Sequence, residues 1–287
     1  MKLSTRLALA ALAATCFALP VPASAARESW RERASGDQEI TLGDIAAEVA
    51  FGREISARIL GRYNPYDNPA LIKYVNLVGL ALVRSTNRPE LNFRFTVLNT
   101  SEVNAYAAPG GYVFVTLGAL QLMKDESELA GVLAHEIAHI TEMHVVKELK
   151  IKGTDSSITS GMAQLVGGST ESARAAFSQA VDKGLEMIFK DEYKRDDELQ
   201  ADKTAITISA LSGYDASALA KYLDRVRAVK ERAPGAVKVQ APETAQSHPS
   251  FNTRISQINE VIAKDGIDVT GLDSKQKRFV AAMKSLK

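Results

Sequence analysis

The chain has 287 residues, of which 46% are hydrophobic, and 35 Lys and Arg against 34 Asp and Glu give a formal net charge of +1. That balance offers no electrostatic case for nucleic acid as a partner, and the length is sufficient for a large hydrophobic core. A single cysteine, Cys16, excludes an internal disulfide.

Residues 1–25 read as a secretory signal peptide. Lys2 and Arg6 form the basic start, Leu7 to Leu19 the short apolar run, and Ala23-Ser24-Ala25 the small-residue cleavage site. Lipoprotein attachment at Cys16 is the lesser alternative. Cleavage leaves 262 of the 287 residues, removes Cys16, and moves the formal charge from +1 to −1 through loss of Lys2 and Arg6. No other stretch approaches 18 continuous apolar residues, so no integral membrane span is expected in the mature chain, peripheral membrane contact being left open. The expected location is the bacterial periplasm, with outer-membrane association as an option.

Residues 26–38 are polar and read as a lead-in, and 39–287 as one domain. Residues 41–61 and 69–84 carry helical apolar spacing, joined by the turn-rich Asn64-Pro65-Tyr66-Asp67-Asn68-Pro69. Phe93 to Leu98 alternates as a strand. Val103 to Ala107 and Tyr112 to Thr116 flank Ala108-Pro109-Gly110-Gly111, a β-turn connection. A small sheet is thus expected first, followed by a chain that is almost entirely helical. Residues 153–170 and 232–247 break that pattern. Each reads as a surface connection or as a mobile lid over a cleft, the connection favoured for 232–247 and the two readings even for 153–180.

Asp125 and Glu128 read as a capping box. Behind them Leu129, Val132, Leu133, Ile137 and Ile140 keep a helical period without Pro. This helix carries His135-Glu136-Ile137-Ala138-His139. Residues four apart share a face, so both imidazoles can reach one metal ion. Glu136 is turned about 100° from His135, which stands it beside the ion as a base for a metal-activated water. The pattern is the HExxH of zinc peptidases, and its required helical context is present. A chance match on an ordinary helix is the competing reading, disfavoured because two histidines on a half-buried face are costly without partners.

A catalytic zinc takes three protein ligands and keeps one position open. A metzincin would need Gly at 142 and His at 145, and Glu142 and Val145 exclude that class. His144 is turned roughly 140° from His139 on a continuous helix. It is therefore expected to hydrogen-bond or to mark the helix end, not to share the ion. Glu198 and Asp202 are four apart on a later helix, so one can ligate while the other orients a ligand imidazole. A solvated acidic face, together with Glu192, Asp196 and Asp197, explains the same spacing equally well.

Four separated signatures resemble the family of HExxH zinc metallopeptidases that includes HtpX, BepA and the CAAX-prenyl endopeptidases. They are the HExxH helix followed by His144, Glu198-Leu199-Gln200-Ala201-Asp202, Asn104-Ala105-Tyr106-Ala107-Ala108-Pro109-Gly110-Gly111, and Ser247-His248-Pro249 with Arg254. The resemblance implies one zinc per chain held by His135, His139 and Glu198, with Glu136 as general base and Asp202 as the partner of a ligand histidine. It places His248 and Arg254 across the cleft as catalytic groups holding the oxyanion, although in some relatives the equivalent histidine caps the zinc. A local role for both, a helix-start histidine and a snorkelling arginine, stays open. Val103, Asn104, Ala105, Tyr106 and Ala107 are the implied edge strand for an extended substrate.

The implied fold is α+β, a mainly helical gluzincin-like metallopeptidase domain with one small sheet whose edge strand borders the cleft. The transmembrane helices and the C-terminal repeats of some relatives are not expected. The expected function is a periplasmic zinc endopeptidase acting on extended or misfolded exported and outer-membrane proteins. The alternatives are a chaperone-like binder of unfolded envelope proteins with a latent zinc, and a purely structural zinc.

Overall fold

A computed structural model describes residues 40–153, 171–189, 193–232, 249–269, 275–284 and 286. The expected signal peptide, the lead-in, His248, residues 154–170 and residues 233–247 lie outside the described residues.

Helix α1 (Leu42–Arg62) opens on a capping box: the Thr41 hydroxyl accepts from Asp44 N at 3.1 Å, and the Asp44 carboxylate accepts from Thr41 N at 3.2 Å. Helix α2 (Pro69–Val83) is capped by Asn68, with Pro69 in the first turn where a missing N–H does no harm. Three strands follow, β1 (Arg94–Leu98), β2 (Ala105–Ala108) and β3 (Tyr112–Thr116). Their order is β1-β3-β2, with β3 central, parallel to β1 and antiparallel to β2. The β2–β3 turn uses Gly110 and Gly111 at φ +78° and +95°. Gly110 is held tightly: its N–H donates to the buried Glu48 carboxylate at 2.9 Å, and a Cβ there would meet Val49 Cα at 2.7 Å.

The sheet is covered on both faces, so its strands are buried more continuously than simple alternation implies. Phe95, Val97, Ala107, Val113 and Val115 join the main core. Tyr106, Ala108 and Phe114 face a second core with Phe51, Ile55 and Ile59 of α1. Helix α6 (Glu171–Phe189) closes that second core through Phe177 and Val181, and the Phe177 ring meets Phe51 edge-on at 6.1 Å between centroids. Residues 171–180, part of the segment for which a lid was considered, are the first half of this helix.

The remaining elements are α3 (Leu117–Leu122), α4 (Glu126–Thr141), α5 (His144–Glu148), α7 (Arg195–Leu211), α8 (Ala218–Arg232), α9 (Phe251–Asp265) and α10 (Gln276–Met283). The fold is α+β, mainly helical with one small mixed sheet. Among the described residues no helix is long and apolar enough to cross a membrane.

Helix α4 is the centre of the molecule, and every one of its residues is buried. Its apolar stripe fits a helix with one face in the core, yet α7, α2, α8 and β2 pack round it. Leu129, Leu133 and Ile137 are 0% exposed, and each such side chain contributes roughly 1.5–3 kcal/mol by leaving water. Gly131 lets α8 approach closely, since a Cβ there would meet Leu219 N at 3.0 Å.

Both ends of α4 are held by charge. Asp125 caps the helix, accepting from Glu128 N at 3.0 Å. The Glu128 carboxylate does not close the capping box on Asp125. It accepts instead from Lys124 N at 2.8 Å and from both Arg225 Nη atoms at 2.6 and 2.8 Å. Buried Glu126 accepts from Tyr74 at 3.0 Å, Tyr214 at 3.1 Å and Arg278 Nε at 2.9 Å. At the far end Arg88, ion-paired to Glu48 at 2.7 Å, turns Nη1 toward the Ile140 carbonyl at 3.5 Å. Carboxylates at the first turn and a guanidinium at the last both suit the helix dipole.

Candidate active site

The packing of α4 on α7 brings together residues 59 and 63 positions apart in the chain. His135 and His139 face the same side of α4, and Glu198 comes from the first turn of α7. The two Nε2 atoms are 3.1 Å apart, His139 Nε2 is 3.4 Å from Glu198 Oε1, and His135 Nε2 is 3.6 Å from Glu198 Oε2. Four ligands at 2.0–2.1 Å from a tetrahedral zinc stand about 3.3 Å from one another. The triad therefore has the donor chemistry and the mutual spacing of three corners of such a site. Among the described residues it is the group of His, Cys, Asp and Glu able to hold a metal ion.

Asp202, one turn beyond Glu198 and 0% exposed, does not join the triad. Its Oδ1 lies 3.0 Å from His135 Nδ1. A carboxylate can only accept, so Nδ1 carries the proton there and the Nε2 lone pair of His135 is left for an ion.

Arg254, on α9, lies against the same carboxylates. Nε and Nη2 reach the two Asp202 oxygens at 2.8 and 2.6 Å, and Nη1 reaches Glu198 Oε2 at 3.1 Å. Nη2 is also 3.3 Å from the His135 ring nitrogens. All three guanidinium nitrogens are thus occupied by Glu198 and Asp202. Burial pulls the Glu198 and Asp202 carboxyls up, but the charges and hydrogen bonds of Arg254 and the histidines together outweigh it and hold both below the usual range.

Glu136 is buried beside the triad and is pushed up to about 7, by burial first and by the nearby Glu198 charge, against the opposing pull of His139 and Arg254. A carboxylate so placed is suited to exchange a proton near neutral pH.

His144 departs from the continuous-helix expectation. Helix α4 ends at Thr141, and Met143 takes a left-handed conformation at φ +60°, after which α5 begins. The chain reversal folds His144 back, and its Nδ1 lies 2.9 Å from His139 Nδ1. Burial, with the neighbouring His139, pushes the His144 imidazole down to about 3. Tyr193 was not anticipated at all: its ring covers that of His139 with centroids 4.1 Å apart. A lone tyrosine ahead of a helix carries no signal of such a role.

Of the expected edge strand, Ala105, Tyr106 and Ala107 lie in β2, while Val103 and Asn104 lead into it. Asn104 already pairs with the sheet, its carbonyl accepting from Thr116 N at 3.1 Å. β2 is at the margin of the sheet, with no strand on its other side among the described residues. A small cavity lined by Ala107, Pro109, His139, Met143 and Tyr193 joins this strand to α4.

Two imidazoles and a carboxylate around one point, with the Glu136 carboxylate buried beside them on a central helix, are the arrangement of a metallopeptidase. The chain belongs to peptidase family M48, whose profile matches residues 69–262. It is 28% identical over 224 residues to the beta-barrel assembly-enhancing protease of Yersinia pestis, covering 77% of this chain and 43% of that one. With the beta-barrel assembly-enhancing protease of Escherichia coli K12 the identity is 25% over 216 residues, 74% of this chain and 43% of the relative. With metalloprotease YcaL of the same organism it is 24% over 223 residues, covering 78% and 82%. The chain thus spans less than half the length of the beta-barrel assembly-enhancing proteases it matches.

Proposed function

We propose that the chain is a zinc endopeptidase of the bacterial envelope that cleaves extended or misfolded segments of exported and outer-membrane proteins. The observation that carries this reading is the spacing of His135, His139 and Glu198, with Glu136 buried beside them. A donor set of two neutral imidazoles and one carboxylate suits zinc, which when bound supplies Lewis-acid polarisation of a carbonyl and acidifies water.

The residues of the chain divide the remaining work. Glu136 accepts the proton of the attacking water and returns it to the leaving amine. Asp202 keeps His135 in the tautomer that presents Nε2. Arg254 keeps Glu198 and Asp202 ionised, and its engagement with both makes it a buttress of the ligands. His248 is left as the candidate donor to the oxyanion. The margin of β2 near Asn104 to Ala107 offers main-chain groups to an extended peptide, a sequence-tolerant mode of binding. The names of the Yersinia and Escherichia relatives support outer-membrane protein biogenesis as the setting, and the signal peptide read in residues 1–25 supports export.

The test is metal content and casein cleavage by the purified protein beside Glu136→Gln. The variant is expected to retain one zinc and lose cleavage. Cleavage by Glu136→Gln at the wild-type rate would overturn the proposal.

A further inference from the structure

His144 is not a member of the triad, yet it is buried against a ligand histidine at the start of its own short helix. The left-handed Met143 is what brings it there, and a methionine takes that conformation only at some cost. From His144 a run of hydrogen bonds continues outward. His144 Nε2 is 3.4 Å from Gln200 Oε1, Gln200 Nε2 donates to Glu142 Oε2 at 2.6 Å, and the Thr204 hydroxyl donates to Glu142 Oε1 at 2.7 Å.

The direction of this run follows from its outer end. A carboxylate can only accept, so Glu142 requires the NH2 of Gln200 to face it. The Gln200 carbonyl is thereby turned to His144 and calls for a proton on His144 Nε2. A neutral imidazole with its proton on Nε2 has a bare Nδ1, which can only accept. His139 must then carry its own proton on Nδ1, and its Nε2 lone pair is exposed toward His135 and Glu198. Were the run reversed, His139 would hold its proton on Nε2 and could not ligate.

We propose that His144 is a positioning residue of the metal centre, the middle link of a polarised chain, Glu142–Gln200–His144–His139, that fixes the ligating tautomer of His139. The chain does for His139 what Asp202 does for His135, with one difference of consequence. Asp202 brings a full negative charge to its imidazole, whereas the Glu142 charge is two neutral links away. Asp197 Oδ1 also lies 3.9 Å from His144 Nε2, so both carboxylates reach His139 only through the His144 ring and neither touches it. The assignment rests on the ligand role proposed above for His139.

The test combines zinc affinity, by competition with a chromophoric chelator, and the ring tautomers of the histidines by long-range 15N–1H NMR. Only four histidines are present, which makes assignment practicable. Wild type is expected to show His139 protonated on Nδ1 and His144 on Nε2, with and without zinc. His144→Leu and Gln200→Leu are each expected to weaken zinc binding by roughly tenfold to a hundredfold, the usual effect of losing a partner of a ligand histidine. His144→Asn, whose amide oxygen can stand where Nδ1 stood, is expected to recover most of that loss. Gln200 is exposed, so its variant carries the test even if His144→Leu fails to fold. Zinc binding by wild type with unchanged affinity in both Leu variants, or a His139 proton on Nε2, would overturn the chain alone. Failure of wild type to bind zinc would overturn the ligand triad and the chain with it.

Discussion

Replacing Arg254 by leucine separates two roles that sequence alone left open for this residue. As a donor to the oxyanion, Arg254 would be needed for turnover and would matter little to the resting fold. In the structure its side chain is 14% exposed and is spread over Asp202 and Glu198, which are 0% and 9% exposed. Arg254→Leu leaves both carboxylates buried without their cation. Removing one partner of a buried ion pair typically costs about 3–5 kcal/mol, and for a domain of this size each kcal/mol corresponds to roughly 2–4 °C in melting temperature. The metal-free variant is therefore expected to melt roughly 6–20 °C below metal-free wild type, followed by circular dichroism. Zinc supplies positive charge to the same carboxylates, so the gap is expected to narrow when both proteins are saturated. Arg254→Lys, which keeps the charge and loses the fork, should fall between them. A metal-free Arg254→Leu protein melting within about 2 °C of wild type would refute the buttress and return Arg254 to the cleft.

Asp202→Asn keeps the shape of the side chain but can turn an N–H toward His135 Nδ1, and zinc binding should weaken roughly tenfold to a hundredfold in chelator competition; unchanged affinity would contradict its orienting role. Arg88→Met strands the Glu48 carboxylate in the core, and urea titration should register a loss of about 3–5 kcal/mol. Gly110→Ala combines a positive φ with a 2.7 Å collision, whereas Gly213→Ala has a positive φ and open space around it. Both should destabilise by about 1 kcal/mol or more through strain, and Gly110→Ala by distinctly more in the same titration. Equal losses would mean that the turn yields easily.

The elements near the start of the domain were legible because their signals are local. Thr41, Asn68 and Pro69 mark helix starts, and Pro109-Gly110-Gly111 marks the hairpin between β2 and β3. Two donors of the triad were legible for the same reason, since an i, i+4 pair needs only a helix. What could not be read is non-local or lacks a compositional mark. Nothing near Arg94 to Leu98 says that β1 pairs parallel with β3 while β2 takes the other side. The reversal at Met143 uses a residue type that gives no warning, where glycine or asparagine would have. The contact of Arg254 with Asp202 spans 52 positions and depends on how α9 crosses α7. Glu198 and Asp202 were ambiguous by spacing because an acidic helix start looks alike in water and in a site. Packing against α4 tells them apart, burying these two and leaving Asp196 exposed.

The enclosure of α4 has a bearing on control. A helix with all its residues buried and charges pinned at both ends belongs to the most stable cooperative unit of its domain. Its amides should exchange with solvent only when the whole domain opens. If the proposed roles hold, a catalytic base and two ligands mounted there cannot be disarmed by local fraying, because loosening them would unfold the protein. On the proposed function, control over such an enzyme acts on who reaches the site, and a peptide that cannot lie along the margin of β2 would be spared whatever its sequence.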